Sequence, residues 1–338
     1  MKGPPPPART IDDVKLPTDS SSPFARLLSF WAPTPAAMRG WAMASVVVNA
    51  GITVSGAVVR VTGSGLGCPT WPRCTPDSFV PVAHPEVDPL NMAIEFGNRL
   101  VTFLVLVVGL ACVIAAMRLS PRRASLVRLA WLQPAGIAAQ ALWGGVVVGT
   151  LLNPFTVSMH FLLSIGLTAA CWALYVRAGE GDGPAEPVVH RDIRRLGHVL
   201  LAAVFVLVVM GVVVTGTGPH SGDVAASRFG FDIETVARLH ADVAYLVVGL
   251  TFALWFALHV SGAPARARRA ALVLVGVELA QGVIGYVQYF LGVPAALVAM
   301  HVLGSTLVWI FTLRLVTTLR ARGTLAASAP SPVPAVTV

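Results

Sequence analysis

Two stretches of the chain decide its fold: residues 154–164 read PFTVSMHFLLS, and residues 294–305 read PAALVAMHVLGS. Each stretch begins with a proline and carries a histidine inside a long apolar run. These histidines, His160 and His301, lie 141 positions apart. This spacing predicts that the second half of the chain repeats the first and that the two halves hold equivalent pockets.

The composition is that of a membrane protein. Hydrophobic residues make up 55% of the chain and charged residues only 12%, with a mean hydropathy of +0.74. Because apolar stretches of about 20 residues recur along it, we predict an all-α polytopic membrane protein whose eight transmembrane helices form two duplicated four-helix bundles. The predicted spans are 41–61, 92–117, 127–149, 155–176, 197–217, 235–258, 270–290 and 295–316.

The distribution of lysine and arginine predicts the orientation. Positive residues concentrate in alternate connections between the spans, at 1–40, 118–128, 177–195, 266–269 and 320–322. These connections would all lie on one side of the membrane, which the positive-inside rule makes cytoplasmic. The net charge of +8 is therefore a topology signal and does not indicate nucleic-acid binding.

Shifts in composition give the predicted domain boundaries. Residues 1–38, too long and too charged for an ordinary cleaved signal peptide, and residues 319–338 are predicted to be disordered cytoplasmic tails. A polar, glycine-containing segment at 178–195 is predicted to be a flexible cytoplasmic linker. The linker separates an N-terminal bundle at 39–177 from a C-terminal bundle at 196–318.

The connection after the first span contains a cysteine pair. Residues 62–74 read TGSGLGCPTWPRC, with Cys68 and Cys74 six positions apart on the predicted external side. In an oxidising compartment such a pair can close a small disulfide loop, and the alternative is two unpaired thiols. Two thiolates are too few for a structural zinc site. Cys112 and Cys171 fall within spans, where we expect small buried hydrophobic side chains.

Three histidines lie at a matched depth in three spans. His160, His240 and His301 each follow the outer start of their helix by six or seven residues, which places them roughly 10 Å into it. This arrangement suggests paired metal or haem ligands, although a single buried histidine can also serve only as an interhelical hydrogen-bond partner. Gln140 and Gln281, related by the same offset of 141, are expected to form interhelical hydrogen bonds.

The second span begins with Glu95-x-x-Asn98-Arg99 at the same outer depth. By comparison with His240 in the sixth span, Asn98 occupies, within one residue, the position of a fourth histidine. Glu95 and Arg99 are four positions apart and could form an ion pair on one helix face. A carboxylate close to hydrocarbon is also costly and usually marks a functional site, so both interpretations stay open.

Together, the external loop, the Glu-x-x-Asn-Arg motif and the three histidines make residues 40–317 resemble the haem A synthase family. The resemblance implies an oxidoreductase that hydroxylates one methyl group of haem O in successive steps. Loss of water then leaves the formyl group of haem A, which terminal oxidases require. It also implies that His240 and His301 ligate a haem b cofactor and that His160 ligates the iron of the substrate haem.

The resemblance also implies roles for neighbouring residues. Glu95 would be catalytic, because it could stabilise a developing positive charge or handle a proton near the reacting methyl group. Arg99 and Arg238 are candidates to pair with haem propionates. Many members of the family carry a histidine where this chain has Asn98. Because a carboxamide is a poor iron ligand, the second axial position opposite His160 would be water or open.

Partners and location follow from the same resemblance. The expected partners are haem O synthase, terminal oxidase assembly factors, an unidentified electron acceptor and membrane lipid, without nucleic acid. The expected location is the plasma membrane of a prokaryote, with the haem sites toward the outer face. Two rival functions remain: a non-enzymatic dihaem electron carrier of cytochrome b type, which should have two ligands in each pocket, and a transporter built on a repeat.

Overall fold

The computed structural model describes residues 32–82 and 87–323. Within these residues the chain forms eight α-helices and one pair of two-residue strands. The strands β1 (Glu186–Pro187) and β2 (Arg320–Ala321) pair antiparallel. The helices are α1 (Pro35–Val61), α2 (Pro89–Arg118), α3 (Ala124–Gly149), α4 (Pro154–Ala178), α5 (Arg191–Thr217), α6 (Ile233–Val260), α7 (Ala265–Phe290) and α8 (Ala295–Thr318).

Seven of the eight described helices are long and apolar enough to cross a membrane, judged by length and composition. The exception is α3, which contains Arg128, Gln133, Pro134 and Gln140 within its 26 residues. The protein is therefore an all-helical, polytopic membrane protein.

Side-chain oxygens cap the N-termini of several helices by accepting hydrogen bonds from backbone N–H groups. Asp88 accepts the backbone N–H of Leu90 at 2.8 Å, and Asn153 accepts that of Phe155 at 3.0 Å. Each is followed by a proline, which suits the first helical position because its missing N–H would have no partner there. At the start of α6, hydrogen bonds from the hydroxyl and backbone N–H of Thr235 hold the pKa of Asp232 below its ordinary value.

Helix packing joins α1–α4, which we call the first half, and α5–α8, which we call the second half. In the first half α1 and α3 each pack against α2 and α4, and in the second half α5 and α7 each pack against α6 and α8. The halves meet where α8 contacts α1 and α4. There the buried indole of Trp309 donates to the carbonyl of Ile165 at 3.1 Å. Because lipid is as apolar as leucine, close packing and such hydrogen bonds hold helices together in a membrane.

Connections between the helices gather at two ends of the assembly. At the loop end, which carries the Cys68–Cys74 loop, Gly65 N–H donates to the carbonyl of Gly222 at 2.8 Å. There too the guanidinium of Arg60 donates to the carbonyl of Thr215 at 2.7 Å. At the opposite end, the linker end, the backbone N–H of Val188 donates to the carbonyl of Leu319 at 3.2 Å.

The turns before α4 and α8 have matching backbone conformations. Leu152 and Val293 both have a left-handed conformation, with φ of 56° and 61°. The N–H of Leu152 donates to the carbonyl of Val147 at 3.0 Å, and the N–H of Val293 donates to that of Gln288 at 2.7 Å. A β-branched residue such as Val293 seldom adopts this conformation. The offset of 141 relates Leu152 to Val293 and Val147 to Gln288.

The predicted boundaries need three corrections. First, α1 begins at Pro35, inside the predicted N-terminal tail, and residues 1–31 of that tail lie outside the described residues. Second, α5 begins at Arg191, so the end of the predicted linker 178–195 is helical. Third, the predicted tail 319–338 begins with the ordered strand β2, and residues 324–338 lie outside the described residues.

Ion pairs hold the segment at the linker end in an ordered conformation. Glu180 lies within 4 Å of three arginines, including Arg320 at 2.8 Å, while Asp182 binds the buried Arg123 at 2.9 Å. A network in which one carboxylate pairs with several arginines stabilises a structure more than isolated surface ion pairs do. It fixes the segment between α4 and α5 against the residues that follow α8.

Candidate haem site

His240 and His301 face each other inside the second half. Their rings project from α6 and α8, with ring centres 6.3 Å apart and ring planes inclined by 66°. The Nδ1 atom of each ring is buried and makes no hydrogen bond of standard geometry, although the backbone of Leu207 lies near the His240 ring. A neutral imidazole can bind a metal through one ring nitrogen while the other carries the N–H, so the facing pair is able to hold one ligand.

Glycines on the other two helices of the second half make room for these rings. A Cβ atom added to Gly211 of α5 would lie 3.2 Å from Cε1 of His240. One added to Gly285 of α7 would lie 3.1 Å from Cε1 of His301. All four helices therefore shape the space around the two imidazoles.

The donor set suits a haem better than a bare metal ion. Two imidazoles that share one metal through bonds of about 2.0–2.1 Å have ring centres roughly 6 Å apart, and the observed pair meets that condition. Among the described residues no three His, Cys, Asp or Glu side chains converge to hold an ion. Two axial histidines are sufficient for an iron that brings four equatorial nitrogens in its own macrocycle.

His160 has an environment similar to that of His301. Its ring, on α4, faces Gly144 of α3, where an added Cβ would lie 3.8 Å from Cε1, and its Nδ1 is also buried and unpaired. The side-chain amide of Gln140 donates to the carbonyl of His160 at 3.2 Å, and that of Gln281 donates to the carbonyl of His301 at 2.7 Å. The predicted interhelical role of both glutamines is confirmed.

Asn98 differs from the three histidines in its contacts. Its side-chain oxygen accepts a hydrogen bond from the hydroxyl of Ser55 on α1 at 2.6 Å. With that oxygen engaged, the remaining polar group is the amide NH2, which donates hydrogen bonds and does not bind metals. The first half therefore presents one imidazole where the second half presents two.

Glu95 connects α2 to the Cys68–Cys74 loop. The carboxylate is buried, with 5% of the residue exposed, and accepts the backbone N–H of Cys68 at 2.6 Å. Its other oxygen pairs with Arg99, whose Nε lies 3.1 Å away, so the predicted ion pair forms. The Arg99 guanidinium also donates to the carbonyls of Cys68, Thr70 and Arg73 at 3.0–3.1 Å. These contacts make the Glu95–Arg99 pair the anchor of the loop.

The loop is closed by a disulfide and lies beside His160. Cys68 and Cys74 are bonded, as predicted, and both are fully buried. Trp71, between them, packs against α3 at Gly145, where an added Cβ would come within 2.8 Å of the indole. Gly145 adjoins Gly144, which faces His160. The loop therefore covers the loop end of the first half next to that histidine.

The remaining candidate residues lie apart from these contacts. Arg238 pairs with Glu234 at 3.0 Å, and both side chains are more than 60% exposed. Cys112 and Cys171 are buried, as predicted, and Cys171 Sγ accepts a hydrogen bond from Asn49 at 3.3 Å. Sequence reasoning missed Ser55, Gly144, Gly211 and Gly285, although the offset of 141 that relates Gly144 to Gly285 was a usable signal.

Comparison with known proteins places these features in a family. The model of the COX15-CtaA family, described as cytochrome oxidase assembly protein, matches residues 39–313. A protein named heme A synthase from Lysinibacillus sphaericus is 32% identical over 146 residues, 43% of this chain and 46% of that protein. Another of that name, from Geobacillus kaustophilus, is 31% identical over 110 residues, 32% of each chain.

A longer relative matches most of the chain. A Thermus thermophilus protein named protoheme IX farnesyltransferase is 28% identical over 316 residues, 86% of this chain and 50% of that protein. The matched segments thus span between about a third and a half of the length of these three relatives.

Proposed function

The chain belongs to the COX15-CtaA family of cytochrome oxidase assembly proteins, and on this premise we propose that it is a haem A synthase. In this role it oxidises a methyl group of haem O to the formyl group of haem A. The observation that carries the proposal is the facing pair His240 and His301, with ring centres 6.3 Å apart.

The proposed architecture is two duplicated four-helix bundles that span the membrane eight times. This counts α3 as a span: its 26 residues reach roughly 39 Å, enough for a hydrocarbon core of about 30 Å. Support comes from its packing against α2 and α4. The arginines of the linker end favour the cytoplasmic side of a prokaryotic plasma membrane for that end.

In the second bundle, His240 and His301 would ligate a haem b. Bound there, the haem would supply transfer of one electron at a time. The residues of the chain would hold the iron through two neutral imidazoles and keep water away with the apolar walls of four helices. Gly211 and Gly285 would leave the imidazoles room to turn toward the iron.

In the first bundle, His160 would hold the iron of haem O. Asn98, with its oxygen engaged by Ser55, would not ligate the metal, so His160 would be the side chain of this half that holds it. The Trp71 loop would close the pocket from the outside and limit the entry of water.

Glu95 would have two roles in this reaction. It anchors the loop through Cys68, and its negative charge would stabilise positive charge that develops at the reacting carbon. Since Arg99 is occupied by Glu95 and by three loop carbonyls, the proposed propionate partner is Arg238, whose exposed guanidinium pairs with the likewise exposed Glu234.

The proposed partners are a haem O synthase, terminal oxidase assembly factors and an electron acceptor. The Thermus protein supports the first of these, because it is twice as long as the segment it shares with this chain and is named for farnesyl transfer to protohaem. A direct transfer between neighbouring membrane proteins would spare haem O, with its lipophilic tail, a passage through water.

Co-expression tests the function. The chain is produced together with a haem O synthase in a bacterium without haem A, and the haems are extracted and separated by chromatography. We expect haem A from the wild-type chain and none from the His160→Ala variant. His198→Ala, which changes an exposed histidine of α5, is the matched control and should form haem A normally. Bound haem without any haem A would instead indicate a non-enzymatic electron carrier.

A further inference from the structure

A buried carboxylate, Glu278, lies halfway along α7 and takes no part in the function proposed so far. The residue is only 6% exposed. Its Oε1 accepts a hydrogen bond from the hydroxyl of Thr251 on α6 at 2.8 Å. Its Oε2 is equally buried and has no hydrogen-bond partner. One half of this carboxylate is therefore satisfied and the other half is free to bind a proton.

The fold itself does not need a carboxylate at this position. The offset of 141 that relates the two halves carries Glu278 onto Ile137 of α3, which is 4% exposed. An isoleucine fills the equivalent space in the first half. An ionisable group in the centre of a membrane span is expensive and usually marks a functional site. The second half differs from the first in its pair of facing histidines, His240 and His301. A role for Glu278 should therefore involve that pair.

Glu278 is connected to that pair through its own helix. One turn further along α7, Gln281 binds the carbonyl of His301, and two turns along, Gly285 lies against the ring of His301. At a rise of about 1.5 Å per residue, Glu278 lies roughly 10 Å along the helix axis from Gly285, toward the linker end. This distance is short enough for charges in an apolar bundle to influence each other.

Among the described residues, no charged side chain forms an ion pair with Glu278. The helices of the second half packed against α7 are α6 and α8. The titratable side chains of these two helices are Glu234, Arg238, His240, Asp242, Tyr245, His259, His301 and Arg314. None of these forms a hydrogen bond or ion pair with Glu278 in the described structure, where its hydrogen-bond partner is the Thr251 hydroxyl.

We propose that Glu278 is the proton site coupled to the redox state of the b-type haem: it binds one proton when the haem is reduced and releases it when the haem is oxidised. The proposal rests on the haem b assigned above to His240 and His301. Apart from its propionates, an iron porphyrin with two neutral imidazoles would carry one positive charge in the ferric form and none in the ferrous form. In an apolar bundle the carboxylate is favoured only while that positive charge is present.

The step balances in charge and atoms. A one-electron donor reduces ferric haem to ferrous haem, and one proton from water converts the Glu278 carboxylate to a carboxylic acid, with formation of its O–H bond at Oε2. Oxidation reverses both changes. Thr251 favours the ionised form by its hydrogen bond to Oε1, which keeps the proton from binding permanently.

The midpoint potential of the haem, measured against pH in the purified holoprotein, tests the proposal. One proton bound per electron makes the potential fall with rising pH by up to about 59 mV per unit. We expect this dependence in the wild-type protein and in Glu278→Asp, and a flatter one in Glu278→Gln. Thr251→Val should move the dependence to higher pH, because the carboxylate loses its hydrogen bond. Asp242→Asn, which removes another carboxylate from the helices packed against α7, should leave the slope unchanged.

A second readout follows the carboxylic acid itself. The reduced-minus-oxidised infrared spectrum should contain the C=O stretch of a protonated carboxylic acid in the wild-type protein but not in Glu278→Gln. Equal pH slopes in wild type and Glu278→Gln, with the b-type spectrum intact in both, would overturn the proposal and leave the haem assignment standing. A wild-type protein without a bis-histidine b-type spectrum would overturn both.

Discussion

The carboxylate of Glu95 accepts the backbone N–H of Cys68 at 2.6 Å, which ties the second helix to a disulfide loop 27 positions earlier in the chain. The same carboxylate pairs with Arg99, and Arg99 in turn binds three carbonyls of the loop. A residue proposed for catalysis is therefore also a structural anchor. Any test of its chemistry has to separate the two roles.

Glu95→Gln separates charge from anchoring. A glutamine keeps an oxygen that can accept the Cys68 N–H, but it cannot supply negative charge to a developing cation. We expect Glu95→Gln to lose most haem A formation and to accumulate haem O or a hydroxylated intermediate, because removal of one electrostatic stabiliser typically costs about 100- to 1000-fold in rate. Chromatography of haems extracted from cells that also express a haem O synthase measures this loss.

Arg99→Gln is the matched control for Glu95→Gln. It releases the loop carbonyls but leaves the Glu95 carboxylate in place. Limited proteolysis should therefore cut the loop faster in Arg99→Gln than in Glu95→Gln. Normal haem A from Glu95→Gln would remove that residue from the mechanism, and equal loop cleavage with equal activity in the two variants would reduce Glu95 to its structural role.

The disulfide predicts a pattern of thiol reactivity. In purified, unreduced protein Cys68 and Cys74 should resist alkylation because they are bonded, and Cys112 and Cys171 should label slowly because they are buried. Mass spectrometry after alkylation with and without reductant measures both effects. Rapid labelling of Cys68 and Cys74 without reductant would contradict the bond.

Loss of the disulfide should loosen the cover over His160. Closing a loop of this length stabilises a fold by about 2 kcal/mol in the chain-entropy model, so Cys68→Ser should lower haem A formation without preventing insertion of the protein. Its haem b spectrum should stay unchanged, since His240 and His301 lie in the other half. A lost haem b spectrum in Cys68→Ser would show that the loop supports the whole assembly.

The ligands of the cofactor can be tested without the reaction. Replacing His240 or His301 with alanine should remove the bis-histidine spectrum while the protein still accumulates in the membrane. His259→Ala, an exposed histidine at the linker end of α6, is the control and should retain the spectrum. An unchanged spectrum in both ligand variants would contradict the assignment.

Helices and buried histidines were accessible from the sequence because their signals are local or periodic. Apolar runs in the sequence predicted every described helix. The offset of 141 in the sequence was sufficient to pair His160 with His301. The same offset relates the unusual φ values of Leu152 and Val293. Repetition thus predicted equivalent environments, and the glutamine contacts to both histidines agree with it.

The contacts that shape the site were not accessible, because they join residues without a common period. Ser55 binds Asn98 across 43 positions, and Arg99 binds Thr70 across 29. Serine and glycine within a helix suggest only close packing until their neighbours are known. The order at the linker end was not predicted for a related reason. Glu180 pairs there with Arg320, which lies 140 positions away in the sequence.

The glycines beside the histidines predict an effect of single methyl groups. Gly285→Ala would place a Cβ 3.1 Å from the ring of His301 and should weaken or distort haem b binding, at a cost of about 1–3 kcal/mol for overpacking. Gly282→Ala, on the same helix, meets nothing within 4 Å and is the matched control. The haem-to-protein ratio and the haem spectrum of the two variants measure the difference. Identical ratios and spectra would mean that the ring has room to move away.

The last prediction concerns the position where the first half lacks a second imidazole. His160→Ala should abolish haem A formation and weaken binding of haem O, because it removes the one strong ligand in that half, while haem b in the second half stays in place. Asn98→Ala should cost much less, since its oxygen is already engaged by Ser55 and its amide group does not bind iron. Ser55→Ala releases the Asn98 side chain without changing it and should resemble Asn98→Ala in haem content.

In Asn98→His the open position should gain a ligand, so that the spectrum of bound haem O moves toward the bis-histidine form and haem A formation falls as access to the iron is lost. Extraction of haems and low-temperature absorption spectra from the four variants measure these outcomes. A complete loss of haem A in Asn98→Ala with normal haem A in His160→Ala would reverse the ligand assignment.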